Sequence, residues 1–364
     1  MLRLHVVQAE FGDCLLLEYG TDQKPRFTLI DGGPPHNFAD NLSPVLRAIA
    51  PRSPALDLTV LSHVDNDHIV GIVDYFAELQ AGTAGLPEPR ELWLNSWGRA
   101  IDPNGTVGPR LKALMTASRT AAMPNAAIAT LGIDEGNALR TKAILLKIPI
   151  NKSVPNAELI TVDDVKSPIA FGNLRLRVVA PTQANLENLR KEWASWIEKH
   201  EDELGDDPMV MSNSDRSVPN LSSIALLAEV DGKTVLLTGD GRSDHLLAGL
   251  KTAGQLDGQG RCHVDILKLA HHGSERDVTK QFFEQVTADT YVVSANGRYD
   301  NPDFSTLTWL VEAAKDAGRK IQLVLTNHTP SVTKLQKKYP TTKYPYTLQF
   351  LQDGQHSIVL SLAG

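Results

Sequence analysis

The chain has 364 residues, of which 42% are hydrophobic and 22% are charged, and its formal net charge is -7. This composition is typical of a soluble globular protein, and the acidic total argues against nucleic-acid binding that depends mainly on neutralising phosphates. The sequence contains no run of about 18 uncharged apolar residues and does not begin like a signal peptide, so we expect a cytoplasmic protein without a membrane partner.

Strands and helices alternate in the first 95 residues. The predicted elements are strands at 2–7, 14–19, 27–30, 56–61 and 92–94, and helices at 43–49 and 68–80. The third strand runs into Asp31-Gly32-Gly33, which is a sharp stop. Cys14 and Cys262 each lie in or beside a predicted strand, which indicates buried thiols and a reducing compartment rather than a disulfide framework.

The middle of the chain, residues 98–217, has an irregular pattern. Helical pieces are expected near 110–130 and 186–200, and one clear strand is expected at 174–179. We interpret this region as an insertion or lid over a site made elsewhere, within a single domain that spans 1–364. The alternative is that the region simply extends the core.

Regular alternation returns after residue 217. The predicted elements are strands at 223–230, 234–237, 264–270, 290–294 and 321–325, helices at 243–252 and 305–317, and two final strands around 353–354. This order is compatible with an α/β (α+β) fold in which two sheets pack together with helices outside. We therefore expect an αββα sandwich with a mid-chain insertion.

Four side chains able to bind a metal ion lie in the heptapeptide at 62–68, directly after an apolar strand: His63, Asp65, Asp67 and His68. Imidazole and carboxylate groups are common ligands of divalent transition ions. Without a cation, the two carboxylates would repel each other. The alternative is a solvated polar turn in which Asp67 caps a helix that begins at His68.

Two further strand ends carry similar groups. Asp240 follows the strand at 234–237, in a Gly-Asp turn that is common by itself. His271-His272-Gly273-Ser274 follows the strand at 264–270, with two histidines, a glycine for close approach and a serine as a donor or cap. Because three strand ends carry such groups, we expect them to meet at one metal centre.

Together these motifs resemble the metallo-β-lactamase superfamily, and more narrowly the soluble hydrolase domain of the competence protein ComEC and the related choline-phosphoesterase branch. The similarity covers about residues 1–95 and 218–330. In chain order it is carried by 7–13, Ile30-Asp31-Gly32-Gly33, 62–68, Asn220-Leu221-Ser222, Gly239-Asp240 and 271–274. The resemblance implies the metallo-β-lactamase fold and a metal-dependent hydrolase.

The chain departs from the patterns of these proteins at several places. Asp65 stands where the superfamily motif has a second histidine, which makes the site harder and brings manganese or magnesium into consideration beside zinc. No histidine lies near Asn220, a feature shared with ComEC-like domains. Asn301 stands where the narrower branch has the histidine of Gly-His-Pro. His328 is a candidate to compensate, and the alternative is that it is a surface residue.

The resemblance implies two divalent metal ions, zinc or manganese, and a metal-bound hydroxide as nucleophile. The predicted ligands are His63 and Asp65 for one ion, Asp67, His68 and His271 for the other, and Asp240 as the bridge between them. His272 either binds metal or serves as general acid, and Ser274 binds a substrate oxygen. The expected catalytic residues are therefore Asp67, His272 and Ser274, with Asp31 supporting a ligand histidine.

The sequence leaves three functions open. The first is a phosphodiesterase, in particular a nuclease, whose partner is nucleic acid or a small phosphodiester. Against nucleic acid stands the lack of a clear basic and aromatic strip, since Arg190 and Lys191 lie beside Trp193 and Trp196 but among several glutamates. The second is a hydrolase of a small ester, lactone or phosphoester. The third is a catalytically weak metal-binding regulatory protein. The oligomeric state is not predicted.

Overall fold

The computed structural model describes residues 1–96, 100, 104, 126–155, 159–201 and 222–362. The strands are β1 (Leu2–Val7), β2 (Leu15–Thr21), β3 (Lys24–Ile30), β4 (Ala55–Leu56), β5 (Leu58–Val60), β6 (Glu88–Pro89), β7 (Leu92–Trp93), β8 (Ile169–Phe171), β9 (Leu174–Ala180), β10 (Ala225–Val230), β11 (Lys233–Leu237), β12 (Cys262–Lys268), β13 (Val286–Val293), β14 (Ile321–Leu325), β15 (Tyr346–Phe350) and β16 (Ser357–Leu362). The α-helices are α1 (Ser43–Ile49), α2 (Asn66–Gln80), α3 (Ala126–Leu145), α4 (Gln183–Glu201), α5 (Ser243–Thr252), α6 (Lys280–Gln285), α7 (Phe304–Asp316) and α8 (Pro330–Lys338).

Two large sheets carry the fold. The first has the strand order β16-β1-β2-β3-β5-β7, and the second has the order β15-β14-β13-β12-β11-β10-β9-β8. In the second sheet, β11 to β15 run parallel, and α5 to α8 lie between successive strands along the chain. Since parallel strands all point the same way, the carboxyl ends of β11 to β14 lie at one edge.

Three buried clusters show that the layers are stacked as helix, sheet, sheet, helix. The cluster between the two sheets includes Leu4, Leu17, Leu176 and Leu237. The cluster between the first sheet and its helices includes Leu16, Leu29, Leu46 and Ile72. The cluster between the second sheet and its helices includes Leu236, Leu267, Leu310 and Leu335. Neighbouring strand residues such as Leu16 and Leu17 fall in different clusters because successive side chains point to opposite faces. The predicted αββα sandwich is confirmed.

The stretch 98–217, which the sequence analysis interprets as an insertion or lid, contributes two strands to the second sheet. Within it, β8 and β9 pair with each other, and β9 pairs with β10 in antiparallel register. The side chain of Asn151 bonds the backbone N–H and C=O of Leu94, which ties the middle of this stretch to the end of β7. Residues 169–180 are therefore part of the second sheet.

Some predicted elements differ from those observed. The strand predicted at 56–61 is two short strands in different sheets, β4 and β5. The two last strands do not pair with each other: β15 extends the second sheet, whereas β16 pairs with β1 in the first. The helix α8 was not expected, because its sequence is dominated by polar residues and only Val332 and Leu335 are buried. No helix among the described residues combines the length and apolar character needed to cross a bilayer.

A close contact between two glycines sets the position of α2. The backbone N–H of Gly32 bonds the carbonyl of His68, and the N–H of Gly71 bonds the carbonyl of Gly33. A Cβ atom added to Gly71 would lie 1.9 Å from the carbonyl oxygen of Gly32. Because neither backbone can move away without breaking these bonds, only glycine fits at position 71.

We expect Gly71→Ala to lower the free energy of unfolding by about 3 kcal/mol or more, since the clash is with backbone and not with a flexible side chain. Urea unfolding monitored by circular dichroism measures this change. The matched control is Gly258→Ala, where an added Cβ would meet nothing within 4 Å. That control should differ from the parent by less than about 0.5 kcal/mol. Equal stability of the two variants would show that the contact between α2 and Gly32 is not tight.

Candidate metal centre

The loop between β5 and α2 carries the predicted metal ligands. Residues His63 to Asp65 lie in the loop, and α2 begins at Asn66, two residues earlier than predicted. Asp65 takes the N-cap position, yet its side chain makes no capping hydrogen bond. The alternative in which Asp67 caps a helix beginning at His68 is therefore wrong, because Asp67 already lies in the first turn. Both carboxylates are left to face the site.

The second histidine pair follows β12, in a short turn at Ala270–Gly273. His271 and His272 both adopt left-handed backbone conformations, with φ of 46° and 54°. Such conformations cost about 1–3 kcal/mol each for residues other than glycine, and they occur preferentially at functional sites. The turn directs both imidazole rings towards Asp240, which follows β11.

Asp240 is the centre of the cluster. Its carboxylate lies 3.7 Å from Nε2 of His63, 3.3 Å from Nε2 of His68, 3.7 Å from Nε2 of His271 and 3.6 Å from Nε2 of His272. Ligands of one zinc ion in tetrahedral geometry lie about 3.3–3.5 Å apart, given bond lengths of about 2.0–2.2 Å. The spacing around Asp240 is therefore close to that of atoms that share a metal ion.

Several of these atoms have no hydrogen-bond partner among the described residues. They are buried Nε2 atoms of His63, His68 and His272, and Oδ1 of Asp240. A buried polar atom without a partner costs about 1–3 kcal/mol, so four in one place require an explanation. One or more divalent cations would satisfy all four at once. The residues present therefore fit a metal centre.

Among the described residues, the donor atoms fall into four overlapping groups, and two of these contain residues predicted as ligands and do not include Asp13. One contains His63, His68 and Asp240, and another contains Asp67, His68 and His272, with all donor atoms of a group within 4.8 Å of one another. Asp65 Oδ2 lies 3.7 Å from His63 Nε2, on the side of the first group. The structure thus brings together the predicted cluster and places His272, not His271, with Asp67.

Hydrogen bonds at Nδ1 orient two of the imidazole rings. Nδ1 of His68 lies 2.9 Å from Oδ2 of Asp31, which also accepts a hydrogen bond from the hydroxyl of Ser62. Nδ1 of His63 lies 3.0 Å from the hydroxyls of Ser62 and of Ser223. A proton held on Nδ1 of His68 leaves its Nε2 free to bind metal. Asp31 thus contacts His68, one of the histidines that the sequence predicts to be metal ligands.

Three supporting residues were missed in the sequence. Asp277 bonds Nδ1 of His271, and the fully buried Lys268 forms an ion pair with buried Asp13. Asp13 also lies 3.4 Å from Nδ1 of His272. The sequence did contain a signal for Lys268. It is a charged residue between the apolar residues Ile266-Leu267 and Leu269-Ala270, shortly before the histidine pair. A lysine at a buried strand position requires an anionic partner.

The electrostatics of the centre also favour a bound cation. Enclosure by the protein and the negative charges of Asp67 and Asp240 raise the pKa of Asp65 to about 7. Burial disfavours the charged form of His272, but the attractions of Asp240 and Asp13 together outweigh it and raise the pKa of that imidazole to about 9. Without a metal ion, the cluster can relieve its negative charge only by taking up protons.

The other described residues predicted as candidates lie outside the cluster of possible metal ligands. Ser274 is 5% exposed, and its Oγ accepts a hydrogen bond from the backbone N–H of Arg276. His328 is exposed and stacks on Phe350, so it is a surface histidine. Asn301 is buried beside the histidine turn. The remaining candidates that lie outside the described residues or side chains are Asn220, Trp193 and Trp196.

An αββα sandwich with histidines and aspartates gathered at the ends of strands from both sheets is the arrangement of the metallo-β-lactamase fold, and this chain has that fold. No family model and no curated protein matches the sequence.

Some solved structures are similar in overall shape. The metallo-β-lactamase fold protein YhfI from Bacillus subtilis is 11% identical, with 99% of this chain and 98% of that chain covered and a TM-score of 0.43. A diphosphatase of the PhnP family is 11% identical, covers 100% and 98%, and has a TM-score of 0.41. A long form RNase Z from yeast is 11% identical, covers 99% of this chain and 41% of its own, and has a TM-score of 0.37.

Proposed function

We propose that this chain is a metal-dependent phosphodiesterase. The proposal rests on the position of Asp240. Its carboxylate lies within 3.3–3.7 Å of the Nε2 atoms of four histidines. Three of these nitrogens are buried and have no hydrogen-bond partner among the described residues. A structural cluster would pair these nitrogens, whereas a catalytic metal centre leaves them for ions and substrate.

Two ions are proposed, with Asp240 as the shared ligand. His63 and Asp65 would hold the first, and Asp67 and His272 the second, with His68 close to both groups. Divalent ions at such a centre lower the pKa of water and polarise the bond to be cleaved. The three carboxylates make the donor set rich in oxygen, which suits manganese as well as zinc and suits phosphoryl chemistry.

His271 is proposed as the proton-transfer residue, and His272 as a ligand. This differs from the sequence prediction, in which His271 was a metal ligand and His272 was either a ligand or the general acid. The His271 side chain is 24% exposed, compared with 3% for His272, so it is the more accessible of the two to a substrate arriving from solvent. Asp277 accepts the Nδ1 proton of His271 and fixes the ring. Nε2 of His271 then faces Asp240 and can hold the proton needed by the leaving oxygen.

A substrate panel tests the proposal. The purified protein, loaded with Mn²⁺ or Zn²⁺, is assayed on single- and double-stranded DNA, RNA, bis(p-nitrophenyl) phosphate, a carboxylic ester and a lactone. We expect hydrolysis of phosphodiesters, and Asp67→Ala should reduce it by about 10³-fold or more because a metal ligand is lost. The matched control is His328→Ala, which removes an exposed histidine outside the cluster and should change the rate by less than twofold.

The panel also separates the other functions left open by the sequence. Hydrolysis of the ester or lactone without cleavage of any phosphodiester would show a small-molecule hydrolase instead. Bound metal without turnover of any substrate would show a regulatory metal-binding protein. Phosphodiester cleavage that survives in Asp67→Ala would mean that the residues assigned to the centre are wrong.

A further inference from the structure

The loop that follows β13 begins and ends beside the histidine turn at Ala270–Gly273. At its start, the carbonyl of Ser294 lies 3.0 Å from Nδ1 of His272. At its end, Pro302 packs so closely on Gly273 that a Cβ on that glycine would lie 2.8 Å from it. Both ends of the loop therefore touch the histidine turn. Tyr299 lies between them, with its Cα at most about 11 Å from that of Pro302 along the chain.

A second loop, between β1 and β2, meets the first at the same place. The carbonyl of Gly12 accepts a hydrogen bond from the hydroxyl of Ser294, and the N–H of Asp13 bonds the carbonyl of Asp67. The next residue towards the N-terminus is Phe11. Bonds from both sheets thus hold the backbone that follows Phe11 next to Asp67.

Three side chains from these two loops stack into one surface. The guanidinium carbon of Arg298 lies 4.1 Å from the ring centroid of Phe11 and 5.0 Å from that of Tyr299. The two rings meet edge to face at 6.4 Å. Stacking between an aromatic ring and a guanidinium is a contact by which proteins preorganise a platform for planar ligands.

Two features distinguish this platform from ordinary surface packing. Tyr299 is 55% exposed and has a φ of 58°, so a bulky aromatic residue is kept in a left-handed conformation that favours glycine. Residues held in strained backbone conformations occur preferentially at ligand sites. Among the described residues, no carboxylate forms an ion pair with Arg298, so its charge remains available to an anion.

We propose that Phe11, Arg298 and Tyr299 form a nucleobase-binding subsite, which makes the substrate a phosphodiester that contains a nucleoside. This inference rests on the proposed phosphodiesterase function. The base stacks on Tyr299, the guanidinium of Arg298 pairs with a phosphate oxygen, and the scissile phosphate lies at the metal centre. The platform binds any base by its face and confers no sequence preference.

The test compares two diesters with the same leaving group. Thymidine 5′-(p-nitrophenyl) phosphate carries a base, and methyl p-nitrophenyl phosphate does not. We expect the metal-loaded parent to prefer the thymidine ester in kcat/KM. Tyr299→Ala should lower kcat/KM for that ester by about 5- to 100-fold, as expected for loss of one stacked base, and should leave the methyl ester within twofold.

Two further variants separate stacking from a structural role. Tyr299→Phe keeps the ring and should retain the preference for the thymidine ester. Tyr344→Ala is the control. It removes another aromatic ring that makes a cation–π contact, since Nζ of Lys315 lies 4.4 Å from the ring centroid of Tyr344. That ring precedes β15, at the amino end of the strand and opposite the metal centre, so its loss should not change the preference. An equal loss on both esters in Tyr299→Ala would overturn the subsite.

A binding measurement keeps this test independent of turnover. Calorimetry with thymidine 5′-monophosphate and with methyl phosphate should show tighter binding of the nucleotide to the parent protein, and the difference should disappear in Tyr299→Ala. If no diester is hydrolysed but this difference is present, the subsite stands and the proposed function fails. If diesters are hydrolysed and neither assay shows a preference for the nucleoside, the subsite is wrong and the function stands.

Discussion

Asp240→Asn is expected to abolish phosphodiester hydrolysis, with a loss of about 10³-fold or more in kcat, and to reduce the number of tightly bound divalent ions. The substitution keeps the size of the side chain and removes its charge. The carboxylate lies 3.3–3.7 Å from the Nε2 atoms of four histidines, so its charge acts on all four imidazole rings. An amide cannot bridge two cations with comparable strength.

The matched control for this variant is Asp265→Asn. Asp265 lies on β12 of the same sheet, pairs with Lys233 and accepts hydrogen bonds from Thr234, but it does not contact the cluster. We expect this control to keep its metal content and its activity within about twofold. A rate close to that of the parent in Asp240→Asn would exclude Asp240 as a bridging ligand.

Lys268→Met is expected to lower the free energy of unfolding by about 3–5 kcal/mol, because it leaves the buried carboxylate of Asp13 without its partner. Both side chains are almost completely buried, at 0% and 1% exposure. Methionine has nearly the same length as lysine, so the change removes charge with little loss of packing. Urea unfolding at a fixed saturating concentration of Mn²⁺ measures the effect and keeps the contribution of bound metal constant.

A double variant separates loss of the pair from loss of one charge. Lys268→Met combined with Asp13→Asn should be less destabilised than the sum of the two single variants, because no uncompensated charge remains. Lys233→Met is the control: it breaks the half-exposed pair with Asp265 and should cost less than about 1 kcal/mol. Equal costs for Lys268→Met and Lys233→Met would show that burial of the Asp13 pair has no energetic consequence.

The sequence predicts the main features of the site for a physical reason. Metal-binding side chains follow apolar strands, and parallel strands bring their carboxyl ends to one edge. Asp240 and the histidine pair could therefore be placed at one edge of the second sheet. The cluster at 62–68 follows β5 of the first sheet, and the family resemblance joined it to them. The boundaries of β14 were predicted from its short run of mainly apolar residues, which is preceded by Arg319-Lys320 and followed by the polar residues Thr326 and Asn327.

Other features depend on contacts that local sequence does not encode. The proposed division of roles between His271 and His272 follows from their backbone turn, which sends one ring to Asp277 and the other towards Asp13. The separation of β15 and β16 into different sheets depends on long-range pairing, whereas a short turn between two strands suggests a hairpin. The stack of Phe11 on Arg298 joins residues almost 290 positions apart.

The central claim is that Asp240 and the surrounding histidines bind divalent cations. The most direct test is the number of divalent ions bound per chain, measured by elemental analysis of the purified protein after equilibrium dialysis against Mn²⁺ or Zn²⁺, for the parent and for Asp240→Asn. We predict two ions per chain in the parent and no more than one in the variant. A parent protein that binds no ion at micromolar metal concentrations, or a variant that binds as many ions as the parent, would contradict the claim.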